Sequence, residues 1–227
     1  AALSLFKSEQ VAVKFPMEQS CCGLPVQMMG EIEAAEQVAV QNVLALDLDA
    51  VDYVVTLCAS CASHLKKAYP ELLKNRASLA LKARNLAEKI IPFSSFCNDV
   101  LKVKSDKFTP GGPKTTYHAP CHLCRGLGVR EAPHTLFKEA GLDFVQADEE
   151  ETCCGFGGTY SAKFPSISAE ILSRKLDDAR RTGAKRLITE CPGCILQLRG
   201  GAARKHMDLM VSHIAEALNE QLIKKGS

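Results

Sequence analysis

The sequence has no run approaching 18 apolar residues, so it offers no membrane-spanning helix. It has little net charge: 28 basic against 26 acidic residues leave +2, and nothing in that balance argues for nucleic acid or a membrane surface. A single RGG, Arg199 to Gly201, is not an RNA-binding array, because it occurs once. No signal peptide is visible. The opening AALSLFKSEQ reads as mid-helix rather than a natural start, so its lack of a leader says little. What the chain has in quantity is cysteine, eleven in 227 residues. An odd count, with adjacent pairs and C-x-x-C pairs, does not fit a secreted disulfide framework. It fits metal or redox chemistry in a reducing, cytoplasmic compartment.

The adjacent pairs set the first physical problem. Bridged cysteines sit with their Cα atoms well over about 4 Å apart, whereas neighbours across a trans peptide are only about 3.8 Å apart. A vicinal disulfide is therefore strained. In a regular strand the two side chains would point to opposite faces. For both sulfurs to aim at one object the backbone must turn, and Gly23 or Gly155 allows that. An object that takes several thiolates at once is a metal or a cluster.

The cysteines repeat. Cys21-Cys22-Gly23 is followed after 34 residues by Cys58-x-x-Cys61, and Cys153-Cys154-Gly155 after 35 residues by Cys191-x-x-Cys194. The copies are offset by 132 residues at the first element and 133 at the second. YVVTLCASC, Tyr53 to Cys61, aligns with RLITECPGC, Arg186 to Cys194; each is a β-branched run feeding a C-x-x-C loop. Helical patterns precede these runs at Ile32 to Leu46 and Ser168 to Thr182, and follow them at Ala62 to Lys74 and Ile195 to Ala203. Further strands are expected at Val11 to Phe15, Thr115 to His118 and Leu142 to Gln146. Alternating strands and helices predict an α/β protein: two similar Rossmann-like parallel-sheet domains related by the repeat, with both cysteine groups beyond the carboxyl ends of strands. The expected spans are 1–105 and 114–227, joined by KVKSDKFTPGGPK, Lys102 to Lys114.

Cys121 precedes Cys153 with 31 residues between them, and its counterpart in the first copy would fall before Ala1. The first domain is therefore expected to lack its N-terminal strand, the chain being a truncated form or a piece of a longer polypeptide.

The pattern C-x31-C-C-G-x35-C-x-x-C in the second half resembles the cysteine-rich CCG domain. That domain occurs, usually as a tandem pair, in the CCG-type component of heterodisulfide reductase and in iron–sulfur subunits of lactate, glycolate and glycerol-3-phosphate oxidising systems. The resemblance covers nearly the whole chain. It implies an iron–sulfur cluster of four irons, noncubane in the heterodisulfide branch, held by Cys121, Cys153, Cys154, Cys191 and Cys194. It implies a first site at Cys21, Cys22, Cys58 and Cys61 with its fifth cysteine missing, where zinc is an alternative. CCGFGGTYSAKFP, CPGCILQLRGG and HIAEAL resemble the lactate and glycolate branch. This implies an electron-transfer subunit with two partners: a flavin-containing dehydrogenase subunit and an electron acceptor. No nucleic acid is implied, and at most peripheral association with a membrane. The chain has no flavin signature and no ferredoxin-type C-x-x-C-x-x-C run. The alternatives are a heterodisulfide reductase-like catalytic cluster acting on thiols or disulfides, and structural zinc. Zinc suits adjacent cysteines less well than a cluster does.

Both C-x-x-C pairs open helices, so free N–H groups and the positive dipole end face the sulfurs. Pro192 is tolerated at such a start. Gly155, Gly157, Gly158 and Gly193 are expected to let backbone approach the cluster. His118 and His122 flank Cys121 and are candidates to support the cluster, as is Cys124. Cys97 is expected to be a buried apolar residue, and His64 an exposed helix residue. Arg125, Arg130, Lys163 and Arg199 are read as solvated charge, with a basic docking surface as the alternative.

Overall fold

The computed structural model describes residues 1–46 and 51–223. Packing divides the chain into two units, Lys14–Pro92 and Ala1–Val13 with Phe93–Ser227. The segments Ala1–Val13 and Phe93 to Ser105, which the repeat assigns by sequence to the first copy, thus pack with the second.

In the first unit two parallel strands pair, β1 (Val54–Thr56) with β2 (Ile90–Pro92). The helix Ile32–Ala45 leads into β1, and the helices Ala59–Leu72 and Ala77–Lys89 return the chain to β2. Small residues line the helix faces that turn inward: Ala35, Ala39, Ala62, Ala80 and Ala83 are buried. Lys66 Nζ donates to the Ile90 carbonyl at 3.0 Å.

The second unit carries three parallel strands in the order β3 (Thr115–Tyr117), β4 (Arg186–Thr189), β5 (Met210–His213). Every residue of β3 and β4 is buried. That explains their continuous apolar and β-branched runs, since parallel strands are covered on both faces. The helix Pro165–Arg181 precedes β4, the helix Pro192–Arg204 follows it, and the helix Ile214–Gln221 closes the chain's last crossover. The path helix–strand–C-x-x-C–helix–strand is common to both units. The first unit has no counterpart of β3 among its described residues. The expected α/β tandem repeat with parallel sheets, its first copy one strand short, is the architecture seen, with helices predominating.

Three local expectations change. Val11–Phe15 forms no strand: Val13 and Phe15 are exposed and no ladder pairs with them among the described residues. Leu142–Gln146 contributes a single parallel bridge, Thr115 with Phe144, rather than a strand. The Lys102–Lys114 stretch is not a free linker. Val103 and Phe108 are buried, Phe108 bridges Leu222, and Thr109 N–H donates to the Gln221 carbonyl at 2.8 Å. The helix Ala77–Lys89 and strands β2 and β5 lie outside the cysteine pattern and went unread in the sequence. No helix among the described residues is long and apolar enough to cross a membrane.

Candidate metal centre

All eleven cysteines are free thiols. In both units the same local chemistry aims them. Cys58 is the N-cap of the helix Ala59–Leu72 at φ −140°, ψ 109°, and Cys191 is the N-cap of Pro192–Arg204 at φ −135°, ψ 115°. An extended N-cap turns its side chain back over the first helical turn. Cys61 and Cys194, three residues on, lie on that same turn, where orphan N–H groups and the dipole favour sulfur carrying negative charge. Gly23 and Gly155 take the left-handed conformation, φ 82° and 84°. That is the turn the adjacent cysteines require.

Each C-C-G loop is clamped by the helices beside it. In the first unit Asn42 Nδ2 donates to the Cys21 carbonyl at 2.9 Å, and the Tyr69 hydroxyl donates to the Cys22 carbonyl at 2.9 Å. Asn42 Nδ2 also reaches the Tyr69 oxygen at 3.0 Å. In the second unit Ser168 Oγ donates to the Gly155 carbonyl at 2.8 Å, with Gln197 Nε2 on Ser168 Oγ at 3.0 Å. The buried Lys175 ammonium donates to the Glu149 and Glu150 carbonyls just upstream.

The five cysteines of the second copy are linked neighbour to neighbour. Cys154 Sγ lies 3.3 Å from Cys194 Sγ, and the Gly155 N–H donates to Cys153 Sγ at 3.3 Å. Cys121 lies in hydrogen-bonding reach of Cys153, and Cys191 of Cys194. Sharing protons among crowded sulfurs splits their acidities. Cys153 is held down to about 2, chiefly by its bonds from Cys121 and then Cys154. Cys121 is pushed up by the same bond from Cys153. Cys154 rises to about 12 against Cys153, and Cys194 rises well above an ordinary thiol against Cys154.

His118, at the end of β3, completes the group. Its ring nitrogen lies within 4.8 Å of the Cys154 and Cys194 sulfurs, all three residues being buried. Burial holds His118 neutral, at about 3, with the Lys175 charge adding to that and Cys153 and Cys191 opposing it.

The remaining candidates sit less centrally. His122 Nδ1 is 3.7 Å from Cys121 Sγ. Cys124 is fully buried with its thiol on the Cys121 carbonyl at 3.9 Å, not on another sulfur. Gly193 faces the Phe156 ring, which a Cβ would meet at 2.8 Å. Its missing side chain therefore makes room for that ring, next to the C-C-G loop. Cys97 is buried, as its helical position suggests. Arg130 pairs with the Glu151 carboxylate at 2.8 Å, Arg125 donates to the Glu151 carbonyl, and Arg199 donates to the Val211 carbonyl.

The first copy gathers its cysteines in the same way. Cys22 is drawn down to about 4, chiefly by its bond with Cys61 and helped by His64, while Cys61 is pushed up by Cys22 and then Cys58. Cys21 is exposed at the rim. His64 corrects the sequence expectation of an exposed helix residue. It is buried, bonded through Nε2 to Gln27 Oε1 at 2.7 Å, and it serves Cys22. The i, i+3 spacing from Cys61 carries that information, since such residues share a helix face.

Lys175 and Glu190 also escaped sequence reading, because a charged residue is by default solvated. Glu190, next to Cys191, accepts from the Tyr117 hydroxyl at 3.1 Å and the Ser94 N–H at 3.2 Å, and burial raises it to about 7. A cavity of about 360 Å³ opens beside the C-C-G loop of the second unit, lined by Tyr117, Arg125, Arg130, His134, Glu150 and Thr152 among others.

Two groups of free cysteines beside parallel strands, one in each unit, define a class of tandem cysteine-rich α/β proteins. The chain belongs to the CCG cysteine-rich domain family, whose pattern matches residues 1–66 and 115–199. It is 38% identical over 210 residues, 92% of this chain and 86% of each relative, to Lactate utilization protein A of Bacillus thuringiensis (strain Al Hakam) and of Bacillus cereus (strain AH187). The same figures hold for Lactate utilization protein A 2 of Bacillus anthracis (strain CDC 684 / NRRL 3495).

Proposed function

We propose that this chain is the iron–sulfur electron-transfer subunit of a cytoplasmic system that oxidises lactate or a related 2-hydroxy acid. It receives electrons from a flavin-containing dehydrogenase subunit and passes them to an acceptor. The observation that supports this reading is the gathering of His118, Cys154 Sγ and Cys194 Sγ within 4.8 Å of one another, with Cys153, Cys121 and Cys191 as unbridged thiols beside those sulfurs. More thiols than a tetrahedral zinc needs favour a polynuclear centre. The relatives named for lactate utilization supply the substrate class.

Such a cluster supplies one-electron redox chemistry. This chain's own residues hold it, exclude water from it and neutralise its charge. The Gly155 N–H points at Cys153 Sγ, the positive dipole end of the helix Pro192–Arg204 lies at Cys191, and the buried Lys175 ammonium lies behind Glu149 and Glu150. In the first copy Cys21, Cys22, Cys58 and Cys61 hold a second cluster or a zinc ion.

The deciding experiment is anaerobic: purify the chain, record its visible absorption, and quantify iron, acid-labile sulfide and zinc. About four irons per chain, with matching sulfide, supports a cluster in the second copy alone, and about eight supports one in each. Zinc without iron or sulfide rejects electron transfer and leaves a structural role.

A further inference from the structure

His118 is fully buried, and neither Nδ1 nor Nε2 has a hydrogen-bond partner among the described residues. A buried imidazole in that state is desolvated with no hydrogen bond among the described residues to offset the cost. Its backbone is fixed, the His118 N–H donating to the Ile188 carbonyl at 2.9 Å and extending the β3–β4 ladder. The ring is therefore placed by the sheet. It shares a space no wider than 4.8 Å with Cys154 Sγ and Cys194 Sγ, yet it hydrogen-bonds to neither sulfur. Three buried donor atoms that converge, the ring nitrogen bonded to neither sulfur, outline the coordination sphere of a metal atom.

We propose that His118 is a direct ligand of the second centre, giving one ring-nitrogen lone pair to the metal atom that Cys154 and Cys194 hold. The centre is thus a mixed imidazole–thiolate site rather than an all-thiolate one. Imidazole brings no charge, so this metal atom carries less negative charge than one held by thiolates alone. No electron or proton is exchanged in forming the bond, because the neutral ring already bears a free electron pair. The inference rests on the reading of the cysteine group as a metal centre and adds a ligand that the cysteine pattern does not contain.

The test uses the whole chain labelled with ¹⁵N-histidine. It is loaded anaerobically with iron and sulfide and reduced, or with cobalt(II) in place of zinc, and examined by pulsed electron–nuclear double resonance. The expected result is a strongly coupled imidazole nitrogen that persists in His122→Ala and disappears in His118→Ala. A fall in cobalt affinity of at least about tenfold should accompany that loss. If His118→Ala does not fold, His118→Asn keeps a polar side chain of similar reach and must lose the signal equally. Metal bound at full stoichiometry without a strongly coupled nitrogen, or with one that survives in the His118 variants, overturns the inference and leaves the metal centre standing. Failure of the labelled chain to bind any metal overturns both.

Discussion

His134 and Glu150 form a half-buried pair, Nε2 to Oε1 at 2.8 Å, on the wall of the cavity beside the second cysteine group. The hydrogen bond from His134 to Glu150 raises the His134 pKa above its usual 6.5, burial opposes it, and the Glu150 and Glu131 charges reinforce it. A raised folded-state value means that folding favours the protonated ring. Its stabilisation is fully present below the unfolded value and is lost as pH rises through the folded value. The denaturant midpoint of the metal-free protein should therefore fall as pH rises above about 6.5, the ordinary histidine value. His134→Gln should reduce the total fall in stability by the pair's contribution, about 1 kcal/mol. The comparison must be wild type against variant, because Glu190, raised to about 7 by burial, adds a fall of its own as pH rises toward that value. Parallel profiles for the two proteins would reject a charged His134 in the native state.

At the scale of elements, the C-C-G turns and the helices that close over them are single devices. Gly155 has φ +84° and a Cβ there would sit 2.6 Å from the Ser168 carbonyl oxygen, inside the helix Pro165–Arg181. Gly158 has φ +59° and open space around it. Both alanine substitutions incur the left-handed cost of roughly 1–2 kcal/mol, and only Gly155→Ala adds a backbone clash of roughly 1–3 kcal/mol. Thermal melts should rank Gly155→Ala well below Gly158→Ala. Equal melting temperatures would mean the loop shifts freely off that helix. The doubled geometry of Cys58 and Cys191 as extended N-caps makes the same point. The helix start and the sulfur position are specified together, so a residue change that moves one moves the other.

At the scale of the whole molecule, the N-terminal helix Ala2–Ser8 belongs to the packing of the second unit. Leu5 and Phe6 are buried, and the Phe6 ring lies 5.8 Å from Phe93 and 5.5 Å from Phe96. Leu5→Ala should cost about 2–5 kcal/mol, the range for a buried leucine. The effect should appear far away in sequence. Hydrogen exchange should quicken in β5 and in the helix Ile214–Gln221, which packs against the N-terminal helix, while β1 and β2 keep their protection. Faster exchange confined to β1 and β2 would reverse the assignment of that helix.

The sequence by itself determined the repeat, the parallel α/β class and which cysteines belong together. Spacing, β-branched runs and the C-C-G turn are local signals, written within a few residues of where they act. Only the tertiary structure decided the surroundings of the sulfurs. His64 read as an exposed helix residue until the fold buried it beside Cys22, and His118, a candidate from its place beside Cys121, gained its neighbours Cys154 and Cys194 only in the fold. Lys175 and Glu190 drew no attention in the sequence, and only the fold of helix Pro165–Arg181 and the turn after β4 buries them. Which unit owns Ala2–Ser8 and the Lys102–Lys114 stretch depended on packing between segments far apart in the chain. Burial, shared protons and desolvation are sums over neighbours from distant segments, and no stretch of sequence carries them alone.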